Sequence, residues 1–309
     1  MLALLAPGQG SQKPGFLSSW LTGWEGADRA TAALRDYSAV SGLDLVRLGT
    51  EADADEIRDT AKTQPLLVAA GLTVAAFLPV EKAAVVAGHS IGELTAAALA
   101  GVLEPSAAVG LAAVRGREMA AACALEPTGM SAVLGGVEAD VLQRLEELGL
   151  SPANRNGAGQ IVAAGPLPAL AKLADDPPAR ARVIALQVAG AFHTPYMAPA
   201  REALGAVDVT VAEPTTTLLS NADGTAVTGG ADALERIVRQ VTAPVRWDSC
   251  QATLLELGVT AAIELAPAGT LAGLAKRAMK GVQVVTVNTP DDLPAAAELI
   301  AAHASEASA

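Results

Sequence analysis

Between residues 83 and 100 the chain passes from five small apolar residues, Ala83-Ala84-Val85-Val86-Ala87, through Gly88-His89-Ser90-Ile91-Gly92. It then enters a stretch built almost wholly of Ala, Leu and Thr. A buried strand, a glycine-flanked turn and a small-residue helix in immediate succession call for an α/β fold whose sheet is covered on its faces. Composition points the same way. With 51% hydrophobic but only 3% aromatic residues, the core must be built from Ala, Val and Leu, which suits helices packed closely on a parallel sheet.

Hydrophobic period and breakers give the coarse elements. Residues 2–5 read as a strand entering a Pro-Gly-Gln-Gly-Ser turn, and residues 65–77 as a buried helix. Pro105 suits the start of another helix, running over 106–122. From 128 to 187 the texture changes. Strands at 131–134, 152–156, 160–164 and 182–186 alternate with helices at 139–148 and 168–174, the β-α-β-β-α-β order of a ferredoxin-like unit. The expected organisation is therefore a large α/β-hydrolase-like domain with a parallel sheet, made of residues 1–127 and 188–309, with a small ferredoxin-like domain, 128–187, inserted into it. In the resumed part, strands are expected at 216–220, 261–265 and 282–287 and helices at 231–240 and 249–257. The tail after Leu293 reads as a fraying or surface helix.

Several function classes drop out. The net charge of −12 argues against the basic surface that non-specific nucleic-acid binding needs. Residues 65–80, the longest uncharged apolar run, are broken by Gly71 and Pro79 and fall short of the roughly 20 residues a membrane-spanning helix requires. Residues 1–6 lack the charged start of a signal peptide, and Cys123 and Cys250 form no framework, so a reducing cytoplasm is the expected setting. Three histidines and two distant cysteines make no zinc site, and neither the dinucleotide fingerprint nor a phosphate loop is present. No bound cofactor or metal is expected. Catalysis must use ordinary side chains.

Gly88-His89-Ser90-Ile91-Gly92 is a G-x-S-x-G in the strand-to-helix context of a nucleophile elbow, which presents a serine hydroxyl at a helix N-terminus. A serine needs a base, and His193 is the best candidate. His89 adjoins Ser90 on the turn, where neighbouring side chains diverge, and His303 lies in the tail. The acids between serine and histidine, such as Asp140, Asp175 and Asp176, read as surface positions, so a Ser-His dyad oriented by a backbone carbonyl is expected rather than a triad. An arginine on the 106–122 helix completes the set. Arg115 falls on the apolar stripe Ala108, Leu111, Ala112, Met119, but Arg117 fits almost as well, and periodicity leaves the choice open.

These residues resemble the malonyl-CoA:acyl carrier protein transacylases, with the acyltransferase domains of polyketide synthases as relatives. The resemblance rests on Gly8-Gln9-Gly10-Ser11-Gln12, Gly88 to Glu93, Arg115-Gly116, Asn154-Arg155-Asn156 with Gly159-Gln160, Ala191-Phe192-His193, and Arg239-Gln240 followed by Pro244-Val245-Arg246-Trp247. It implies that Ser90 is the acylated nucleophile, His193 its base, and the backbone N–H groups of Gln9 and Ile91 the oxyanion hole. It singles out Arg115 as the partner of the malonyl carboxylate, the Gln240 carbonyl as the orienter of His193, and Asn154 as a substrate-side contact. Ala191-Phe192-His193 is similar to malonyl-selecting relatives, which often carry histidine where this chain has Gly190. The implied reaction moves malonyl from malonyl-CoA to the phosphopantetheine thiol of acyl carrier protein. On this reading acetyl would leave the guanidinium unpaired.

Two other classes share these features. A serine esterase or thioesterase would hydrolyse malonyl-CoA without an acceptor, and a non-catalytic carrier-binding module would show no turnover. An acidic carrier meeting a chain of net −12 needs a local basic patch, and Lys276, Arg277 and Lys280 are the candidates.

Overall fold

The computed structural model describes residues 1–304. Strand β1 (Leu2–Ala6) is buried along its whole length and lies at the centre of a parallel sheet. Three helices, α1 (Ser18–Leu21), α2 (Ala27–Ser41) and α3 (Leu45–Thr50), lead to α4 (Thr60–Ala75). Then come β2 (Val85–Gly88), α5 (Gly92–Leu99) and α6 (Pro105–Cys123). A second group follows: β3 (Thr128–Gly135), α7 (Glu138–Glu147), β4 (Ser151–Gly157), β5 (Gln160–Pro166), α8 (Leu167–Asp175) and β6 (Ala181–Ala185). The chain continues through α9 (Ala198–Gly205), β7 (Thr217–Leu219), α10 (Gly230–Gln240), α11 (Trp247–Glu256), β8 (Ala261–Glu264), α12 (Thr270–Ala278), β9 (Gln283–Thr286) and α13 (Leu293–Ala304).

Among the described residues the strands form two sheets. The parallel one runs β7-β2-β1-β8-β9, and the antiparallel one β4-β5-β3-β6. Alternation along the parallel strands divides the core. Leu2, Leu4, Val86 and Ile263 face the layer that holds α4, α5 and α6, whereas Ala3, Leu5, Val85, Ala87 and Ala262 pack with Trp247 and Leu254 of α11 and Leu271 and Leu274 of α12. In the antiparallel sheet, Val133, Ile161 and Ala163 pack on Val141 and Leu145 of α7 and on Leu170 and Leu173 of α8. Its other face turns Met130 and Val162 toward the larger core.

The antiparallel sheet is tied by backbone to the segment between α10 and α11. The Val245 N–H donates to the Ala153 carbonyl at 2.9 Å, and the Val245 carbonyl accepts from the Arg155 N–H at 2.9 Å. Two expectations shift. Helix α4 starts at Thr60 rather than at Pro65, because Asp59 caps it by accepting from the Ala61 N–H at 3.0 Å, so Pro65 lies inside the helix. The tail helix α13 is not a surface helix throughout, since Ala296, Leu299 and Ile300 are buried in the core. Among the described residues no helix is long and apolar enough to cross a membrane.

Candidate active site

The site lies at the carboxyl ends of β1 and β2, where parallel sheets open their crevices. Between β2 and α5 the chain turns so tightly that a Cβ on Gly92 would collide with the Ala6 carbonyl, and one on Gly88 with the Gly92 carbonyl. Ser90 at the apex has φ 54°, the left-handed region that costs a side-chain-bearing residue energy. Asn221 holds the turn from behind. Its Oδ1 accepts from the Ser90 N–H at 2.7 Å, and its Nδ2 donates to the Gly88 carbonyl at 2.8 Å.

His193 approaches from 103 positions further along the chain, also with positive φ, at 60°. Its Nε2 is 2.7 Å from Ser90 Oγ and its Nδ1 is 2.8 Å from the Gln240 carbonyl oxygen. A carbonyl can only accept, so Nδ1 carries the hydrogen and Nε2 is left to accept from the serine hydroxyl. Asp140, Asp175 and Asp176 are all exposed. Burial, and after it the charge of Arg115, pushes His193 down to about 3. The imidazole is therefore neutral and able to take a proton. Beside it, a Cβ on Gly190 would stand 2.6 Å from Cys123 Sγ, which is why a larger residue has no room there.

The arginine choice left open by periodicity is decided by burial. Arg115 is 1% exposed, whereas the side chain of Arg117 is 63% exposed and pairs with Glu118. Arg115 Nη1 donates to Gln64 Oε1 at 2.7 Å; its Nη2 donates to Gln240 Oε1 at 2.9 Å and to Ser90 Oγ at 3.3 Å. An unpaired guanidinium awaiting an anion is thus not what the structure contains. Two neutral amide oxygens already hold it, and neither cancels its charge. Burial lowers Arg115 to about 10, opposed by the negative charge of Glu93.

A cavity of about 470 Å³ opens in front of the serine. Ser90, His193, Gln9, Ile91, Asn154 and Phe192 line it; Arg115 and Gln240 stand behind its wall. The Gln9 side chain donates to Thr60 Oγ1 at 3.3 Å, which ties the loop after β1 to α4. Of the three basic candidates, Arg277 lies at the cavity and donates to Gln160 Oε1 at 3.0 Å, while Lys276 and Lys280 line a neighbouring depression beside β9.

Four site residues had no role assigned from sequence: Gln64 and Asn221, which were not singled out at all, and Glu93 and Asn156, which appeared only within the motifs that carry the resemblance. Asn156 Oδ1 pairs with His89 Nε2 at 2.9 Å, linking β4 to the turn. Glu93 is 3% exposed. It accepts from the Asn221 N–H at 2.6 Å and from Gln240 Nε2, and burial pushes its carboxyl up to about 8 against the pull of these partners and of Arg115. A signal for Glu93 existed, since it is the one ionisable residue of α5. Asn156 appeared only inside the Asn154-Arg155-Asn156 motif, and Asn221 had no signal, because only the fold brings it to the turn.

The sequence matches the acyl transferase domain family over residues 4–292. It is 57% identical over 306 residues to the malonyl CoA-acyl carrier protein transacylase of Mycobacterium tuberculosis, covering 97% of this chain and 100% of that one. It is 32% identical over 308 residues to the enzyme of that name from Escherichia coli K12, covering 96% and 99%. The crystal structure of MCAT from Mycobacterium tuberculosis superposes with a TM-score of 0.91 at 56% identity, covering 96% and 99%. A solved complex of a type II PKS acyl-carrier protein with its malonyl-transacylase matches with a TM-score of 0.90 at 29% identity, covering 96% and 99%.

Proposed function

The chain belongs to the acyl transferase domain family, and from that premise we propose that it moves a malonyl group from malonyl-CoA to the phosphopantetheine thiol of an acyl carrier protein, in fatty-acid synthesis and, with a suitable carrier, polyketide synthesis. The observation that carries the reading is a serine and histidine 2.7 Å apart with a buried arginine 3.3 Å from the same hydroxyl. That set joins an activated nucleophile to a fixed positive charge, as transfer of an anionic acyl group needs.

In the first half-reaction Ser90 Oγ attacks the thioester carbonyl and passes its proton to His193 Nε2. The tetrahedral oxyanion forms against the N–H groups of Gln9 and Ile91, each donor typically worth about 3 kcal/mol. The C–S bond then breaks, the CoA thiolate takes the proton from His193, and malonyl remains as an ester on Ser90. In the second, the carrier thiol gives its proton to His193 and attacks the ester, and Ser90 recovers the proton as the C–O bond breaks. This is a ping-pong cycle with one acyl-enzyme. The Gln240 carbonyl keeps His193 in the working tautomer throughout. Arg115 pairs with the malonyl carboxylate in both halves, Asn154 contacts the substrate from the antiparallel sheet, and Phe192 closes the acyl pocket.

Residues 128–187 form an inserted ferredoxin-like unit on this reading, and 1–127 with 188–309 an α/β-hydrolase-like domain. The antiparallel order β4-β5-β3-β6, with two helices on one face, supports the first assignment. The unpaired thiols of Cys123 and Cys250 suit a cytoplasmic setting.

Intact-mass analysis after mixing with malonyl-CoA alone tests the proposal. A stable malonyl adduct that maps to Ser90 and discharges on adding carrier protein is expected. An unlabelled serine in folded protein, or rapid hydrolysis without acceptor, would overturn it, the latter in favour of a thioesterase.

A further inference from the structure

We infer that Glu93 is a positioning residue for acyl selectivity: by accepting from Gln240 Nε2 it fixes which end of that side-chain amide faces Arg115, and so holds the guanidinium beside Ser90. The inference rests on the malonyl-transfer reading above.

Gln240 does two jobs with two parts. Its main-chain carbonyl accepts from His193 Nδ1, and its side-chain Oε1 accepts from Arg115 Nη2. The amide could in principle sit either way round, because its two ends have nearly the same shape. Its Nε2 donates to Glu93 Oε2, to Asn221 Oδ1 at 3.1 Å and to the Ser90 carbonyl at 3.3 Å. Three acceptors leave one orientation. The reversed amide would set Oε1 against the Glu93 carboxylate and NH₂ against the guanidinium, two contacts of like polarity in a site closed to water.

Glu93 is itself fixed. Its other oxygen accepts from the Asn221 N–H at 2.6 Å, and the Ser220 hydroxyl is a further partner. Every one of these contacts offers the carboxyl a hydrogen and so favours its ionised form, in opposition to the burial that pushes it up to about 8. Its negative charge also offsets part of the cost of burying Arg115. Glu93 is absent from the cavity lining and acts through Gln240.

Two variants test this, Glu93→Gln and Gln240→Met. The first keeps shape but puts an NH₂ against one donor whichever way it turns; the second removes the relay and keeps the main-chain carbonyl that orients His193. Rates of Ser90 acylation by malonyl-CoA and by acetyl-CoA are measured by quench and intact mass. In Glu93→Gln the malonyl rate should fall about tenfold or more relative to the acetyl rate, Gln240→Met should shift the malonyl-to-acetyl ratio in the same direction, and the double variant should shift it no further than the singles. A folded Glu93→Gln protein that keeps the wild-type malonyl-to-acetyl ratio, including by losing both rates equally, overturns the inference. If Glu93→Gln fails to fold, Gln240→Met decides alone, an unchanged ratio again overturning it. A wild-type protein that never carries malonyl on Ser90 would instead remove the transfer reading, and this inference with it.

Discussion

Ser90 and His193 both sit in the left-handed region of backbone space, at φ 54° and 60°, and both are held there by neighbours. Asn221 clamps the serine turn, and Thr194 Oγ1 donates to the Ala191 carbonyl at 2.6 Å beside the histidine. The electrostatics of the pair follow from its surroundings. Burial and the Arg115 cation disfavour imidazolium and hold His193 near 3 instead of its usual 6.5. The unfolded chain therefore takes up a proton that the folded one refuses. The stability this neutral histidine contributes is complete above 6.5 and is lost as pH falls from 6.5 toward about 3. For catalysis, kcat/KM reports the free enzyme, so its acid limb for Ser90 acylation should lie below about pH 5 and not near neutrality. Replacing Arg115 by Met should move that limb upward, toward the ordinary histidine range. A wild-type limb near 6.5 would contradict the assignment of His193 as the buried base. Arg115 shows how far sequence could go at this scale: periodicity placed two arginines on one helix, the family resemblance picked out 115, and burial separates it physically from 117.

At the scale of elements, the strand, turn and helix around Ser90 were legible because three independent signals agree there. Small apolar residues specify a buried strand, two glycines permit a close turn, and an Ala-rich run specifies a helix that packs closely. The glycines are needed for space: Gly92 lies against the β1 carbonyl of Ala6, where any Cβ would collide. Gly92→Ala should lower stability by about 3 kcal/mol or more, through overpacking that backbone cannot relieve. Gly273→Ala on α12, where a Cβ meets nothing within 4 Å, should instead raise stability by about 0.5–1 kcal/mol. Thermal melts of the two variants check both signs, and similar melting temperatures would refute the spatial argument. The ends of α4 and α13 were less legible. Asp59 outranked Pro65 as a start signal, and an Ala-rich tail shows little contrast between the face it buries and the face it exposes.

At the scale of the molecule, the cavity is walled on one side by β3, β4 and β5 of the antiparallel sheet and on the other by the loops after β1 and β2 and by α12, so substrate and carrier arm enter between these two walls. A chain of net charge −12 that receives an acidic carrier needs positive potential at this entrance. Arg277 stands at the cavity, and the exposed Lys276 of α12 and Lys280, two residues past its end, line the neighbouring depression. Reversing both lysines, Lys276→Glu with Lys280→Glu, should raise KM for carrier protein about fivefold or more in low salt, with self-acylation by malonyl-CoA unchanged. An unchanged KM would remove this face as the docking surface. Few charges elsewhere make each of these count.

The sequence by itself determined the class of fold and pointed to Ser90 and His193 as the proposed nucleophile and base, with no carboxylate between them, because each is written in local pattern or in the scarcity of alternatives. Three histidines leave little choice of base, and a glycine-flanked serine after a buried strand leaves little choice of nucleophile. Tertiary structure alone decided how the arginine is held. Gln64, Glu93, Asn221 and Gln240 come from three helices and a strand end, and none has a partner within its own segment. Their meaning lies in hydrogen bonds between residues 19 to 150 positions apart. Such contacts carry no period and no spacing, since what selects them is a shared buried volume in which every donor must find an acceptor.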